Sequence, residues 1–312
     1  MTLLYNDPVF LTHETGRHPE RAERLRRVTA RLAETGLEER CRRPRWEPIH
    51  IDRLARIHEP RYAADVAAFA ERGGGHIEAD TVVSPASYDV ALRAAGAVCD
   101  ATVRVVAGED QHALCLVRPP GHHALRAGAM GFCLFNNVAL GARAAIAELG
   151  LDRALVVDWD VHHGNGTQDA FWTDEQVGFL SIHRWPFYPG TGRADETGGG
   201  AALGTTLNLP VEMGTSRKVY LQRFRAALES FAARIKPQLI FISAGFDSHR
   251  EDPIGSLGLE TEDFATLTQI VLDVADAFAG GKVVSVLEGG YHAGALADAV
   301  ELHLREMLGR RV

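Results

Sequence analysis

The chain has 312 residues, 46% of them hydrophobic, which is enough for one large α/β domain or two modest ones with a sizeable core. A formal charge of −8 argues against a general nucleic-acid binder and is compatible with a substrate that carries positive charge. Cys41, Cys99, Cys115 and Cys133 form no Cys-x-x-Cys pair, which excludes a thiolate zinc cluster or a disulfide framework and fits free thiols in a reducing cytoplasm.

The start, Met1–Pro8, lacks the basic-then-apolar pattern of a secretory signal, and no later run reaches the ~18 apolar residues of a membrane span. His18-Pro-Glu-Arg21 opens an Arg/Glu-rich segment that reads as a helix with a mostly solvated face. Gly-rich 73–75 reads as a loop tip, and the Ala-rich stretch 86–107 as a helix. A buried strand is predicted over 113–117, followed by Arg118-Pro-Pro-Gly-His122-His123 and a helix over 136–149. The next strand, 154–157, runs into Asp158-Trp-Asp-Val-His-His-Gly-Asn-Gly-Thr-Gln168. A strand over 177–182 leads to His183 and then Tyr188-Pro-Gly-Thr-Gly192, with a second glycine loop at 198–200 and a strand over 204–209. After a helix over 216–235, strand 239–243 precedes Gly245-Phe-Asp247-Ser-His249 and Asp252-Pro253. Thr261 with Asp263 starts a helix to 279, and strand 283–287 precedes Glu288-Gly-Gly-Tyr291 and a final helix over 293–309. Strands alternating with helices predict an α/β fold: one domain over 1–312, a doubly wound, mainly parallel sheet flanked by helices. Ligands in such sheets bind beyond the carboxyl ends of the strands, so the five polar motifs belong on one sheet edge.

Asp160 and His162 lie two apart, a spacing that in an extended chain presents both side chains to one face. Asp247, in a turn directly after a strand, is the natural third ligand. One His and two carboxylates suit zinc or another divalent first-row ion, and three protein ligands leave the open positions of a catalytic site. His163 falls on the opposite face and is given no ligand role. The adjacent His122 and His123 are acid/base candidates facing the metal. Tyr291 is placed to donate to a developing oxyanion, and Phe132 and Tyr188 to wall a narrow apolar channel. His183 reads as a buried supporting residue. His13, His50, His58, His76, His112, His249, His292 and His303 read as surface or turn residues.

These motifs, in this order over nearly the whole chain, resemble the histone deacetylase family, especially its class II and bacterial amidohydrolase branch, which shares the arginase/deacetylase fold. They include Gly131-Phe-Cys-Leu-Phe-Asn-Asn137 besides those above. The resemblance implies a zinc-dependent deacetylase acting on N-acylated primary amines such as acetyl-lysine, with zinc on Asp160, His162 and Asp247. It implies His123 as base and acid, His122 as its charge-stabilising partner, Asp158 bonded to His122, and Asn165 orienting His123. Gly131 would offer its carbonyl to the substrate amide, between Phe132 and Tyr188. Structural potassium is implied on Asp158, Asp160, His162, Ser181 and Ile182, with a second peripheral cation near Phe171 and Val177.

Polyamine-selective relatives carry an acidic gatekeeper just after the Asp-Pro pair; here that substrate-facing position is Ile254. Glu78 and Asp80 are candidates for an acidic rim. An acetylpolyamine or other small N-acyl amine is the alternative substrate, and a two-manganese, arginase-like ureohydrolase is a rival. That rival wants an Asp-x-His-x-Asp strand end, whereas His162 is followed by His163-Gly-Asn. The reading implies a cytoplasmic enzyme of bacterial composition, with an acylated amine as partner, no nucleic acid and no membrane, and is compatible with an oligomer.

Overall fold

A computed structural model describes residues 1–309. In chain order its elements are β1 (Thr2–Tyr5), α1 (Glu23–Glu34), β2 (Cys41–Arg42), α2 (Ile51–Leu54), α3 (Pro60–Glu71), β3 (Gly75–Glu78), β4 (Thr81–Val83), α4 (Ser87–Val106) and β5 (His112–Cys115). They continue with α5 (Asn137–Ala147), β6 (Ala154–Asp158), α6 (Asn165–Phe171), β7 (Val177–Arg184), β8 (Thr206–Val211), α7 (Arg217–Ile235), β9 (Ile240–Ala244), α8 (Thr261–Phe278), β10 (Val283–Leu287) and α9 (Ala293–Gly309).

Eight strands form a sheet in the order β2-β1-β5-β10-β9-β6-β7-β8, with every pairing parallel. Every residue of β5, β6, β9 and β10 is buried, as expected where helices cover both faces of a parallel sheet. Helices α4 and α5 pack together on strands β5, β6, β9 and β10, while α7, α8, α9 and α1 pack in series. The five strands that carry the polar motifs, β5, β10, β9, β6 and β7, are neighbours in the sheet. Their carboxyl ends therefore open on one edge.

Helix ends follow local chemistry. Asn136 and Ser216 accept from the backbone N–H groups of Ala139 and Val219 and so cap α5 and α7. At α8 the cap is Glu260, one residue ahead of the predicted Thr261, because Asp263 accepts from the Glu260 N–H in a reciprocal capping box.

Four expectations change. The N-terminal strands β1 and β2 join the sheet although both are too short to stand out in the sequence. Gly75 opens strand β3 of an antiparallel β3–β4 hairpin instead of lying in a loop tip. Helix α1 begins at Glu23, and neither Glu20 nor Arg24 is solvated: both are fully buried, and Glu20 pairs with Arg24 and with Arg118. His13, His58, His112, His249 and His303 are buried as well, each with a partner. Burial pushes His13 and His58 down to about 4 and His303 to about 3, so these rings are neutral polar members of the core.

Candidate active site

Strand β6 ends at Asp158, and the chain beyond it is a turn, not an extended strand. Two successive side-chain bonds shape that turn: Asp158 Oδ1 accepts from the Asp160 N–H at 3.0 Å, and Asp160 Oδ1 from the His162 N–H at 2.9 Å. Asp160 and His162 thus share a face across a turn and not along an extended strand. They stay together because each aspartate folds the backbone over itself.

On the neighbouring strand, β9 delivers Asp247, whose Oδ1 accepts from the Val161 N–H at 2.9 Å. Ligand atoms of Asp160, His162 and Asp247 lie within 4.8 Å of one another, all buried. His162 Nδ1 sits 3.0 Å from Asp160 Oδ1 and 3.2 Å from Asp247 Oδ2. Asp247 Oδ2 nevertheless has no hydrogen-bond partner. One ring proton cannot serve two carboxylates, whereas a divalent cation serves three ligands at once. Burial and then the Asp160 charge push the Asp247 carboxyl up to about 7, a repulsion that a cation would remove. The backbone leaves room for this packing only because residue 289 is glycine: a Cβ there would come within 2.2 Å of Asp247 Oδ2 and 2.5 Å of Asp160 Oδ2. The donor set and its orphaned oxygen fit a divalent metal ion.

His122 and His123 stand beside this cluster with ring centroids 4.0 Å apart. His122 Nδ1 lies 2.9 Å from Asp158 Oδ2, and its Nε2 3.8 Å from Asp160 Oδ1. Burial opposes its charge, but Asp158 and Asp160 outweigh burial and hold it up to about 10. His123 goes the other way, well below the usual histidine range, through burial and then the His122 charge. Its Nδ1 faces a neutral acceptor, Asn165 Oδ1, at 2.7 Å. The two adjacent imidazoles are thus pushed in opposite directions, His122 toward the charged form and His123 toward the neutral one.

A first expected outcome arises here. Asn165→Asp puts an anion on His123 Nδ1 and raises that imidazole's pKa. The base form is then lost at higher pH, so the acid limb of the pH–rate profile moves upward; an unmoved limb contradicts the pairing.

Tyr291 follows β10 and lines the cavity over the cluster. Its backbone N–H donates to Asp252 Oδ2 at 2.6 Å, and the Arg24 guanidinium lies 5.0 Å from its ring centre. Burial, then Asp247 and Asp160, push the phenol well above its usual range, so it stays a hydrogen-bond donor. Phe132 meets Tyr291 edge-on at 5.5 Å and adopts a left-handed φ of 70°, a conformation L-residues hold only where surroundings impose it. Its N–H donates to Thr81 Oγ1 at 3.1 Å, and the Gly131 N–H to Asp80 Oδ1 at 3.0 Å, so the β3–β4 hairpin fixes this wall. The Gly131 carbonyl already accepts from the Cys133 thiol at 3.3 Å.

Tyr188 stands edge-on to His123 at 5.3 Å and to His162 at 5.9 Å. Together with Phe132, Phe187 and Ile254 it lines an apolar cavity of about 220 Å³ that His123 and His162 close at the base. Asp80 also lines it, while Glu78 accepts from the Asp80 N–H and is exposed. Ser181 sits opposite Asp158 in the β6–β7 register, with Ile182 next to it.

Three contributors escape sequence reasoning. Glu288 is fully buried, accepts from the Gly121 and His122 N–H groups at 2.7 and 3.2 Å, and is pushed up to about 7 by burial. Asp252 organises the opposite wall, accepting from the N–H groups of Ile254, Gly255, Tyr291 and His292. Arg24 donates to the backbone carbonyls of Glu288 and Gly290 at 2.5 and 2.6 Å. Asp252-Pro253 and Glu288-Gly-Gly stand out as motifs, but their partners are backbone groups that carry no sequence signal.

Residues 18–307 match the family model described as histone deacetylase domain. A histone deacetylase-like amidohydrolase of Pseudomonas aeruginosa is 38% identical over 275 residues, covering 88% of this chain and 72% of that protein. The polyamine deacetylase HDAC10 of Homo sapiens is 41% identical over 303 residues, 93% of this chain and 44% of that one. The crystal structure of an HDA15 HD domain superposes with a TM-score of 0.93 at 35% identity, over 99% of this chain and 88% of that chain.

Proposed function

The chain belongs to the histone deacetylase family, and from that premise we propose that it is a zinc-dependent deacetylase of acylated primary amines, acetyl-lysine above all, built as one catalytic domain and working in the cytoplasm. The observation that carries this reading is the buried Asp160–His162–Asp247 cluster with the unlike His122–His123 pair beside it, at the base of an apolar cavity. Zinc held by the cluster supplies Lewis acidity toward the acyl carbonyl and brings the pKa of the attacking water to ~7.

His123, neutral and oriented by Asn165, takes the proton of the attacking water. His122, held charged by Asp158, stabilises the negative charge that builds next to it. The Tyr291 phenol donates to the oxyanion. The proton on His123 passes to the leaving amine, and Asp158 keeps His122 in place throughout. The Gly131 carbonyl accepts from the substrate amide. Four methylenes of an acyl-lysine stem, at ~0.8 kcal/mol each, gain roughly 3 kcal/mol in the channel between Phe132 and Tyr188.

Ile254 in the cavity wall supports a neutral chain over a polyamine, because it offers a distal ammonium no anion. Asp80, which lines the same cavity, favours the acetylpolyamine alternative. The Asp158–Ser181 register supports potassium on Asp158, Asp160, His162, Ser181 and Ile182, and the resemblance extends the proposal to a second cation near Phe171 and Val177. Among the described residues no helix is long and apolar enough to cross a membrane.

A turnover panel tests the reading. With zinc supplied, acetyl-lysine peptides are expected to exceed acetylpolyamines in kcat/KM. The reverse order would move the assignment to polyamines, and no turnover on either would reject it.

A further inference from the structure

Tyr188 is 37% exposed, yet its ring takes up a defined place against His123 and His162. Its loop is tied down from beneath by two buried imidazoles that have no part in the chemistry above. Thr191 Oγ1 lies 2.8 Å from His163 Nδ1, and Gln168 Oε1 lies 3.0 Å from His163 Nε2. Gln168 Oε1 also accepts from Asn208 Nδ2 at 2.7 Å, while Gln168 Nε2 donates to Glu196 at 2.8 Å. The amide oxygen therefore faces His163, whose Nε2 carries the proton. The bare Nδ1 accepts from the Thr191 hydroxyl.

His183 makes the complementary pair. Its Nε2 donates to the Gly192 carbonyl at 3.0 Å, and its Nδ1 accepts from Ser181 Oγ at 2.9 Å. The Gly192 N–H donates to Glu196 Oε2 at 3.1 Å. At φ 90°, Gly192 lies so close to both rings that a Cβ would come within 2.6 Å of His163 Cγ and of His183 Nε2. The two ring centroids are 4.8 Å apart.

We propose that His163 and His183 form a clamp on Thr191 and Gly192 that holds Tyr188 at channel width, which makes His163 a positioning residue for recognition of the acyl chain. The inference rests on the cavity being the substrate channel. His163 adjoins His162, so one turn carries a metal-ligand candidate and sets the wall beside it. Removing the clamp widens the channel mouth without touching the residues that move protons.

The test uses Thr191, whose hydroxyl bonds His163 Nδ1. Thr191→Val keeps the shape and removes the donor; Thr191→Ser keeps the donor. Loss of one hydrogen bond is expected to raise KM for an acetyl-lysine peptide by about three- to tenfold, with kcat and zinc content unchanged. Thr191→Ser is expected to keep the parent KM, and amide exchange across 190–193 to quicken only in Thr191→Val. An unchanged KM or unchanged exchange in Thr191→Val overturns the clamp, as does equal impairment of both variants. A parent protein with no turnover counts against the functional reading alone, and the exchange comparison then decides the clamp.

Discussion

Tyr291→Phe is expected to lower kcat on an acetyl-lysine peptide by ~10²-fold or more, the usual cost of losing one oxyanion donor. The substitution removes one hydroxyl and leaves the ring contacts with Phe132 and Arg24 in place. The Tyr291 backbone bond to Asp252 is also untouched, so the wall keeps its shape. Metal content is expected to stay at one zinc per chain, because none of the three candidate ligands changes. The loss belongs in kcat, since the donor acts on charge that exists only in the transition state. Steady-state kinetics with metal analysis on the same sample checks this, and an unchanged kcat refutes the role of Tyr291.

The largest effect on stability is expected for Glu20→Ala. Glu20 is fully buried and accepts from Arg118 Nε and Nη2 at 2.5 and 2.7 Å, and from Arg24 Nη1 at 3.2 Å. Removing it leaves two buried guanidinium groups without their carboxylate, a change that costs on the order of 3–5 kcal/mol. Denaturant unfolding measures the loss, and a cost under about 1 kcal/mol, the range of an exposed pair, would contradict it. Burial alone would raise the Glu20 pKa, but Arg118 outweighs it and holds the carboxyl down to about 2. A depressed carboxyl stabilises the fold fully above its unfolded pKa near ~4.5 and loses that contribution as pH falls through 2. Acid unfolding of Glu20→Ala is therefore expected to be flatter across that window than in the parent.

The two residues differ in how far the sequence foretells them. Tyr291 follows a β-branched run and two glycines, and the same kind of signal marks Asp160, His162 and Asp247. Strands buried on both faces read as continuous apolar runs, so β6, β9 and β10 and the motifs after them are legible without a structure. Glu20 and Arg118 are 98 residues apart, and nothing local distinguishes a buried arginine from a solvated one. The same holds for His303, whose partners Thr268 and Ser285 lie on another helix and on a strand. Short strands such as β1 carry too few residues to show a period, and they gain their place from pairing with β5. Where the turn after Asp158 departs from a strand, alternation still put Asp160 with His162, because side chain-to-backbone bonds replace the pleat there.

The most direct measurement of the central claim is acetate release from an acetyl-lysine peptide by protein loaded with zinc, stripped with a chelator and reloaded. One zinc per chain, with release lost on stripping and regained on reloading, is the predicted result. Two metal ions per chain with no acetate released would contradict it.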